Sequence, residues 1–112
     1  MEKVYLAIEN NLAIHERESR FWLSKNISSI RVASIRVASM NEAIMLARKR
    51  HFYYIGINAS NVDYLPKLPL LRAVTNSPIL VSTAKYNANE HSKALRSGAD
   101  LWGMSFYFIS TD

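Results

Sequence analysis

The stretch Ser77–Phe106, SPILVSTAKYNANEHSKALRSGADLWGMSF, decides how the rest of the chain is read. Ser77-Pro78 opens an apolar run, Ile79 to Ser82, that reads as a strand. A polar turn follows, and Asn87 with Glu90 three residues on supplies the N-terminal cap of a helix. That helix ends at Gly98, the residue type that accepts the left-handed backbone past a helix C-terminus. Leu101 to Met104 is a second strand. Strand, helix and strand at this spacing make a crossover unit, whose strands run parallel.

The same alternation continues toward the N-terminus. Lys3 to Ile8 holds the unbroken apolar run Val4-Tyr5-Leu6-Ala7-Ile8, as expected for a strand buried on both faces of a parallel sheet. Asn11 caps a helix expected over Leu12 to Lys25, carrying Leu12, Ile14, Phe21, Trp22 and Leu23. The pentapeptide IRVAS then occurs twice in tandem, as Ile30–Ser34 and Ile35–Ser39. At least one copy forms the second strand, and the other lengthens that strand or the loop leading into it. A period of five is no solenoid repeat, so we read a small tandem duplication.

Ser39 and Glu42 make a capping box that opens a helix over Asn41 to Arg50, with Ala43, Ile44, Leu46 and Ala47 facing inward. Tyr53 to Ile57 is the third strand, Asn58 to Leu65 a loop, and a short helix runs from Pro66 or Lys67 to Val74. The order is β-α-β-α-β-α-β-α-β. It implies one α/β domain over residues 1–112, a doubly wound five-stranded parallel sheet. In such sheets the site lies at the carboxyl ends of the strands, here Glu9-Asn10, Asn58, Ser82-Thr83 and Ser105.

Composition narrows the function classes. A hydrophobic content of 49% with 21% charged residues is that of an ordinary globular domain. No apolar run approaches the roughly 20 residues of a membrane span, and MEKVYLAIENN is no signal peptide, so a cytoplasmic location is expected. The chain has no cysteine, which excludes disulfides, thiol catalysis and cysteine zinc sites. His15, His51 and His91 lack metal-ligand spacing, and no GxSxG elbow, P-loop or dinucleotide fingerprint occurs. Neither an enzyme nor a cofactor is therefore expected. The net charge of +5 would favour anionic partners, but the basic residues are scattered. Only Arg48-Lys49-Arg50-His51 is a run, and it complements a helix C-terminus.

Residue by residue, the chain resembles the receiver domain of two-component response regulators, a flavodoxin-like fold. Thr83-Ala84 matches the Thr/Ser-Ala that ends the fourth strand in that family, Gly98-Ala99-Asp100 its Gly-Ala-Asp, and Trp102 the fifth-strand aromatic that swings during signalling. Thr83 to Ser105 matches without a gap. Between Asn10 and Asn58 the chain is longer by about one IRVAS copy, and between Asn58 and Thr83 it is shorter. The resemblance implies an acidic magnesium-holding cluster at Glu9-Asn10-Asn11, a phosphoacceptor Asp where Asn58 stands, and a Lys where Ser105 stands.

Those departures bear on chemistry. Phosphoryl transfer to a carboxylate needs a nucleophilic oxygen, a divalent ion on hard carboxylate ligands and a cation on the phosphoryl oxygens. Asn58 offers an amide, Asn10 removes a charged ligand, and Ser105 offers a hydroxyl in place of a cation. The expectation is a degenerate receiver whose vestigial pocket is Glu9, Asn10, Asn58, Thr83 and Ser105. Asp63, five residues past Asn58, is the sole displaced acceptor considered, and an acid in a polar loop is normally solvated.

The resemblance also implies a fifth helix, which Phe106–Asp112 is too short to form. It is expected to be missing or supplied elsewhere: by a longer regulator, a partner or a second copy. In receivers the face of the fourth helix and fifth strand is the usual signalling and dimer surface. Here it would carry Lys85, Tyr86, Lys93, Arg96, Asp100 and the anchor Trp102. The expected role is a phosphorylation-independent protein-interaction or dimerisation module in signal transduction or transcription regulation, with DNA contacted only through a possible additional domain. The alternatives are a nucleic-acid or anionic-ligand module using the basic surface, and a small ligand in the vacated pocket.

Overall fold

The computed structural model describes residues 2–16 and 31–104. Strands β1 (Glu2–Ile8), β2 (Arg31–Val37), β3 (Ile55–Asn58), β4 (Ile79–Ser82) and β5 (Leu101–Gly103) form one sheet. All four pairings are parallel and the order is β2-β1-β3-β4-β5. Helix α1 is described over residues 12–16. It is followed by α2 (Met40–Lys49), α3 (Leu68–Val74), entered through a 3-10 turn at Leu65–Lys67, and α4 (Ala88–Ser97). The expected doubly wound parallel sheet is what forms. The rest of the predicted first helix, Ser105 and the fifth-helix region lie outside the described residues. Among the described residues no helix is long and apolar enough to cross a membrane.

Local chemistry sets the helix ends. Ser39 Oγ accepts the Glu42 N–H at 3.3 Å and Asn87 Oδ1 accepts the Glu90 N–H at 2.9 Å, so both predicted caps are made. Gly98 ends α4 at φ 125°, where a Cβ would also lie 2.7 Å from the Arg72 Cβ. Only glycine fits there. The third strand starts later than its apolar run, at Ile55. Before it, Tyr53 and Tyr54 bond to β1 through single main-chain contacts, Tyr53 N to Val4 O at 2.7 Å and Leu6 N to Tyr54 O at 3.0 Å.

One sheet face packs on α2, α3 and α4. Leu6, Ile8, Ile55, Ile57, Ile79 and Val81 meet Met40, Ala43, Ala47, Leu68, Leu71 and Ala94 in this core. On the other face Tyr5 stacks on Tyr54 at 4.8 Å between ring centroids, and Gly56 lies beside the Tyr54 ring. His15 of α1 bonds Ser34 Oγ at 2.9 Å, and burial first, then the Arg36 charge, lowers its pKa.

The tandem repeat takes one of its two expected forms, a strand lengthened across both copies. Neither copy alone forms β2: the strand takes Arg31–Ser34 from the first copy and Ile35–Val37 from the second. It pairs in register with all of β1, from Glu2 opposite Arg31 to Ile8 opposite Val37.

A clasp holds the far end of the sheet. Arg72 Nη2 donates to Thr75 O and Ser77 O, both at 2.8 Å, and Nη1 to Gly98 O at 3.2 Å and Asp100 Oδ2 at 3.0 Å. Asp100 Oδ2 also accepts the Ile79 N–H at 2.8 Å. Gly98-Ala99-Asp100 is thus read structurally: Gly98 turns the chain, Ala99 is buried, and Asp100 ties the start of β4 to Arg72.

Candidate functional site

The carboxyl ends of β1 and β3 meet at Glu9 and Asn58. Glu9 is only 2% exposed, so its acceptor-only carboxylate needs donors inside the protein. Three neutral groups supply them. The Asn58 side-chain amide donates to Oε1, the Asn61 amide to Oε2 at 2.7 Å, and the Asn11 main-chain N–H to Oε2 at 2.9 Å. The Glu9 main chain is held as well, its N–H on Val37 O at 2.9 Å and its carbonyl on Arg36 Nη1 at 2.8 Å. Asn10 closes the ring by donating to Asn61 O at 2.7 Å.

Asn58 is positioned by the turn it shapes. Its Oδ1 accepts the Ser60 N–H at 3.0 Å, and its main-chain oxygen accepts from Asn61 and Val62 at 3.2 and 3.1 Å. With the oxygen so used, the amide nitrogen faces Glu9. Glu9, Asn10 and Asn58 are therefore brought together as the strand ends predict, and Asn61 joins them. The sequence offered one signal for Asn61, an Asn three residues into a turn that another Asn opens.

The remaining pocket residues divide. Thr83 sits at the end of β4, but its hydroxyl is bonded locally, to the Lys85 N–H at 3.4 Å and the Lys85 carbonyl at 3.2 Å. It makes no bond to the Glu9 cluster. Ser60 instead joins the two loops, its Oγ accepting the Ala84 N–H at 3.0 Å. Asp63 is exposed and lines a cleft of about 390 Å³ with Ser60, Asn61, Tyr64 and Glu90. Ser105 is outside the described residues. Among the described residues no group of three or more His, Cys, Asp or Glu is placed to hold a metal.

Trp102 corrects an expectation. An anchor for a partner must reach the surface, whereas Trp102 is 6% exposed and belongs to the core. Its indole N–H donates to Tyr64 Oη at 3.0 Å and lies 3.4 Å from Glu90 Oε2, and Tyr64 Oη donates to the same Glu90 oxygen at 2.7 Å. Burial, then the bond to Glu90, pushes the Tyr64 pKa well above the usual tyrosine range. The face over Trp102 is shut by His91, stacked on it at 5.1 Å, and by Tyr86, edge-on at 5.5 Å and bonded to His91 Nδ1 at 3.2 Å. Lys85, Tyr86, Lys93, Arg96 and Asp100 are exposed, as an interaction face requires, although Asp100 is engaged by the Arg72 clasp.

The five-stranded order and the cluster at its carboxyl edge can now be set beside solved structures. An orphan response regulator of H. pylori superposes with a TM-score of 0.75 at 18% identity, over 94% of this chain and 84% of that one. The receiver domain of a sensor histidine kinase from Pseudomonas aeruginosa, with magnesium in its active-site cleft, gives 0.73 at 19% identity, over 95% and 87%. This is a receiver fold. A Burkholderia pseudomallei response regulator carrying a phosphorylated aspartic acid and calcium gives 0.71 at 22% identity, over 93% of this chain, which spans 60% of that chain's length. No protein-family model and no curated protein matches the sequence. In this receiver fold Glu9, Asn10 and Asn58 occupy the carboxyl edge, where ligands of doubly wound sheets sit.

Proposed function

We propose that the chain is a non-catalytic receiver-like module of cytoplasmic signal transduction or transcription regulation, whose output is set by binding and not by phosphorylation. One observation carries this reading: the buried Glu9 carboxylate is fully supplied by the amides of Asn58 and Asn61 and the Asn11 N–H. A pocket satisfied by neutral donors needs no cation to hold its charge in place, and it presents an amide where a carboxylate would accept phosphate. Titration with Mg²⁺ and beryllofluoride, followed by NMR, is expected to leave the amide shifts of Glu9, Asn58 and Thr83 unmoved. A saturable shift would overturn the reading, and Asp63 would become the acceptor to examine.

The partner meets the α4–β5 face, where Tyr86 (58% exposed), Leu95, Leu101 and Met104 expose apolar surface beside Lys85, Lys93 and Arg96. Arg96→Glu is expected to weaken self-association or partner binding several-fold in sedimentation; an unchanged profile and affinity would argue against this face. The alternative of a nucleic-acid module is less well supported, because many cations have structural work. Lys3 lies over the Tyr53 ring, Arg50 over Phe52, Lys67 on Asn41, Arg36 on Glu9 and Arg72 in its clasp. Nucleic-acid binding needs a continuous basic face, with affinity falling steeply with salt.

A further inference from the structure

The second IRVAS copy carries the β2 contacts that the core and the pocket depend on. Val37 is buried in the core and Ile35 packs against it. Val37 O accepts the Glu9 N–H, and Arg36 Nη1 holds Glu9 O. The first copy, Ile30–Ser34, is the same five residues in the same order, and Arg31–Ser34 pair with the opening half of β1. A slide of β2 by five residues sets Ile30, Arg31 and Val32 opposite Leu6, Ala7 and Ile8, the positions now held by Ile35, Arg36 and Val37.

Shorter slides fail. A slide of one or three residues puts Ser34 at the position of Ile35 or Val37, and a slide of two or four puts Ala33 there. A slide of five also turns the strand over, since five is odd, but the repeat then returns the same residue type to the positions of Ile35, Arg36 and Val37. Of the slides from one to five, only five restores Ile, Arg and Val to the positions opposite Leu6, Ala7 and Ile8. Among the described residues the slide breaks one ladder, because β2 ends the sheet order there and pairs with β1. It leaves α2 in place, because Ser39 and Glu42, which cap that helix, lie after the second copy's strand residues.

We propose that β2 has two registers related by a five-residue slide. In the second, a pentapeptide crosses from the amino end of the sheet to its carboxyl end, lengthening the β2–α2 loop beside Glu9 and Asn58. The observed register dominates for a local reason. The slide replaces Arg31–Ser34 opposite Glu2–Tyr5 with Asn26-Ile27-Ser28-Ser29, which has fewer β-formers. It also puts Ile35 and Val37 into a loop.

The test places a charge in each copy. Val37→Asp is expected to keep a cooperative unfolding transition, because Val32 takes its core position, and nuclear Overhauser contacts then link the Glu9 N–H to Val32 in place of residue 37. Val32→Asp is expected to fold in the observed register. The double variant Val32→Asp/Val37→Asp has no apolar copy to offer and is expected to lose the transition altogether. Loss of the transition in Val37→Asp alone would overturn the proposal, as would a folded Val37→Asp that keeps residue 37 opposite Ile8. A chain lacking residues 30–34, identical in sequence to one lacking residues 35–39, is a second measure. It can adopt only the second register's pairing and is expected to fold; failure to fold would also overturn the proposal.

Discussion

Asn58→Asp is expected to lower the unfolding free energy at pH 7 by about 3 kcal/mol, the cost of breaking a buried charge's partner and setting a like charge beside it. The substitution changes one atom type and almost no volume. It removes the N–H that serves Glu9 Oε1 and leaves two carboxylates in contact at a site where Glu9 is 2% exposed. Like charges in contact raise the proton affinity of the pair in the folded state above that of the unfolded chain. The folded state therefore binds the extra proton more tightly, and the deficit shrinks as pH falls toward about 4, where one shared proton restores an O–H donor. Mg²⁺ should restore stability at pH 7 in this variant and leave the parent unchanged, because a cation can then bind the folded form alone. Urea melts at both pH values, with and without Mg²⁺, check all three statements. A pH-independent loss would mean that the Glu9–Asn58 contact is not what holds the pocket.

Arg72→Ala is the other large effect, expected at about 3 kcal/mol from one charge-assisted donor set withdrawn from partly buried acceptors. The side chain ties the end of α3 at Thr75 O and the approach to β4 at Ser77 O to the end of α4 at Gly98 O, 26 positions away. The ion pair with Asp100 is the smaller part. Asp100 is 52% exposed, and exposed pairs contribute at most about 1 kcal/mol. Asp100→Asn should therefore cost less than Arg72→Ala, and Arg72→Lys should recover little, since an ammonium cannot fork to acceptors on both sides. Denaturant melts of the three variants rank them; equal losses for Asp100→Asn and Arg72→Ala would shift the weight to the ion pair.

The sequence shows the parts of this fold that are local. Ser39 with Glu42, Asn87 with Glu90, and Gly98 are short-range devices, and each sits where it was expected. That Glu9, Asn10 and Asn58 meet was legible because a parallel sheet collects its strand ends at one edge. What was hidden depends on residues far apart. Asn61 reaches Glu9 across 52 positions, and Trp102 reaches Tyr64 across 38. The resemblance puts Trp102 on the signalling face as an anchor, whereas α4 and Tyr64 enclose it, as aromatic enrichment on a strand favours. The bounds of β2 within the repeat were hidden for another reason: identical copies give no local signal of where a strand begins, and pairing with β1 decides it.

The all-amide support of Glu9 also has an evolutionary consequence. A lineage with this pocket cannot gain a second acid beside Glu9 without loss of stability. An Asp arising at residue 58 would meet Glu9 with only an amide at residue 10, and the protein that carries it is expected to be less stable than its parent. Selection for stability alone removes such intermediates. The Asn58 and Asn61 amides and the Asn11 N–H thus do more than satisfy Glu9: they make the neutral state of residue 58 the one that stability favours.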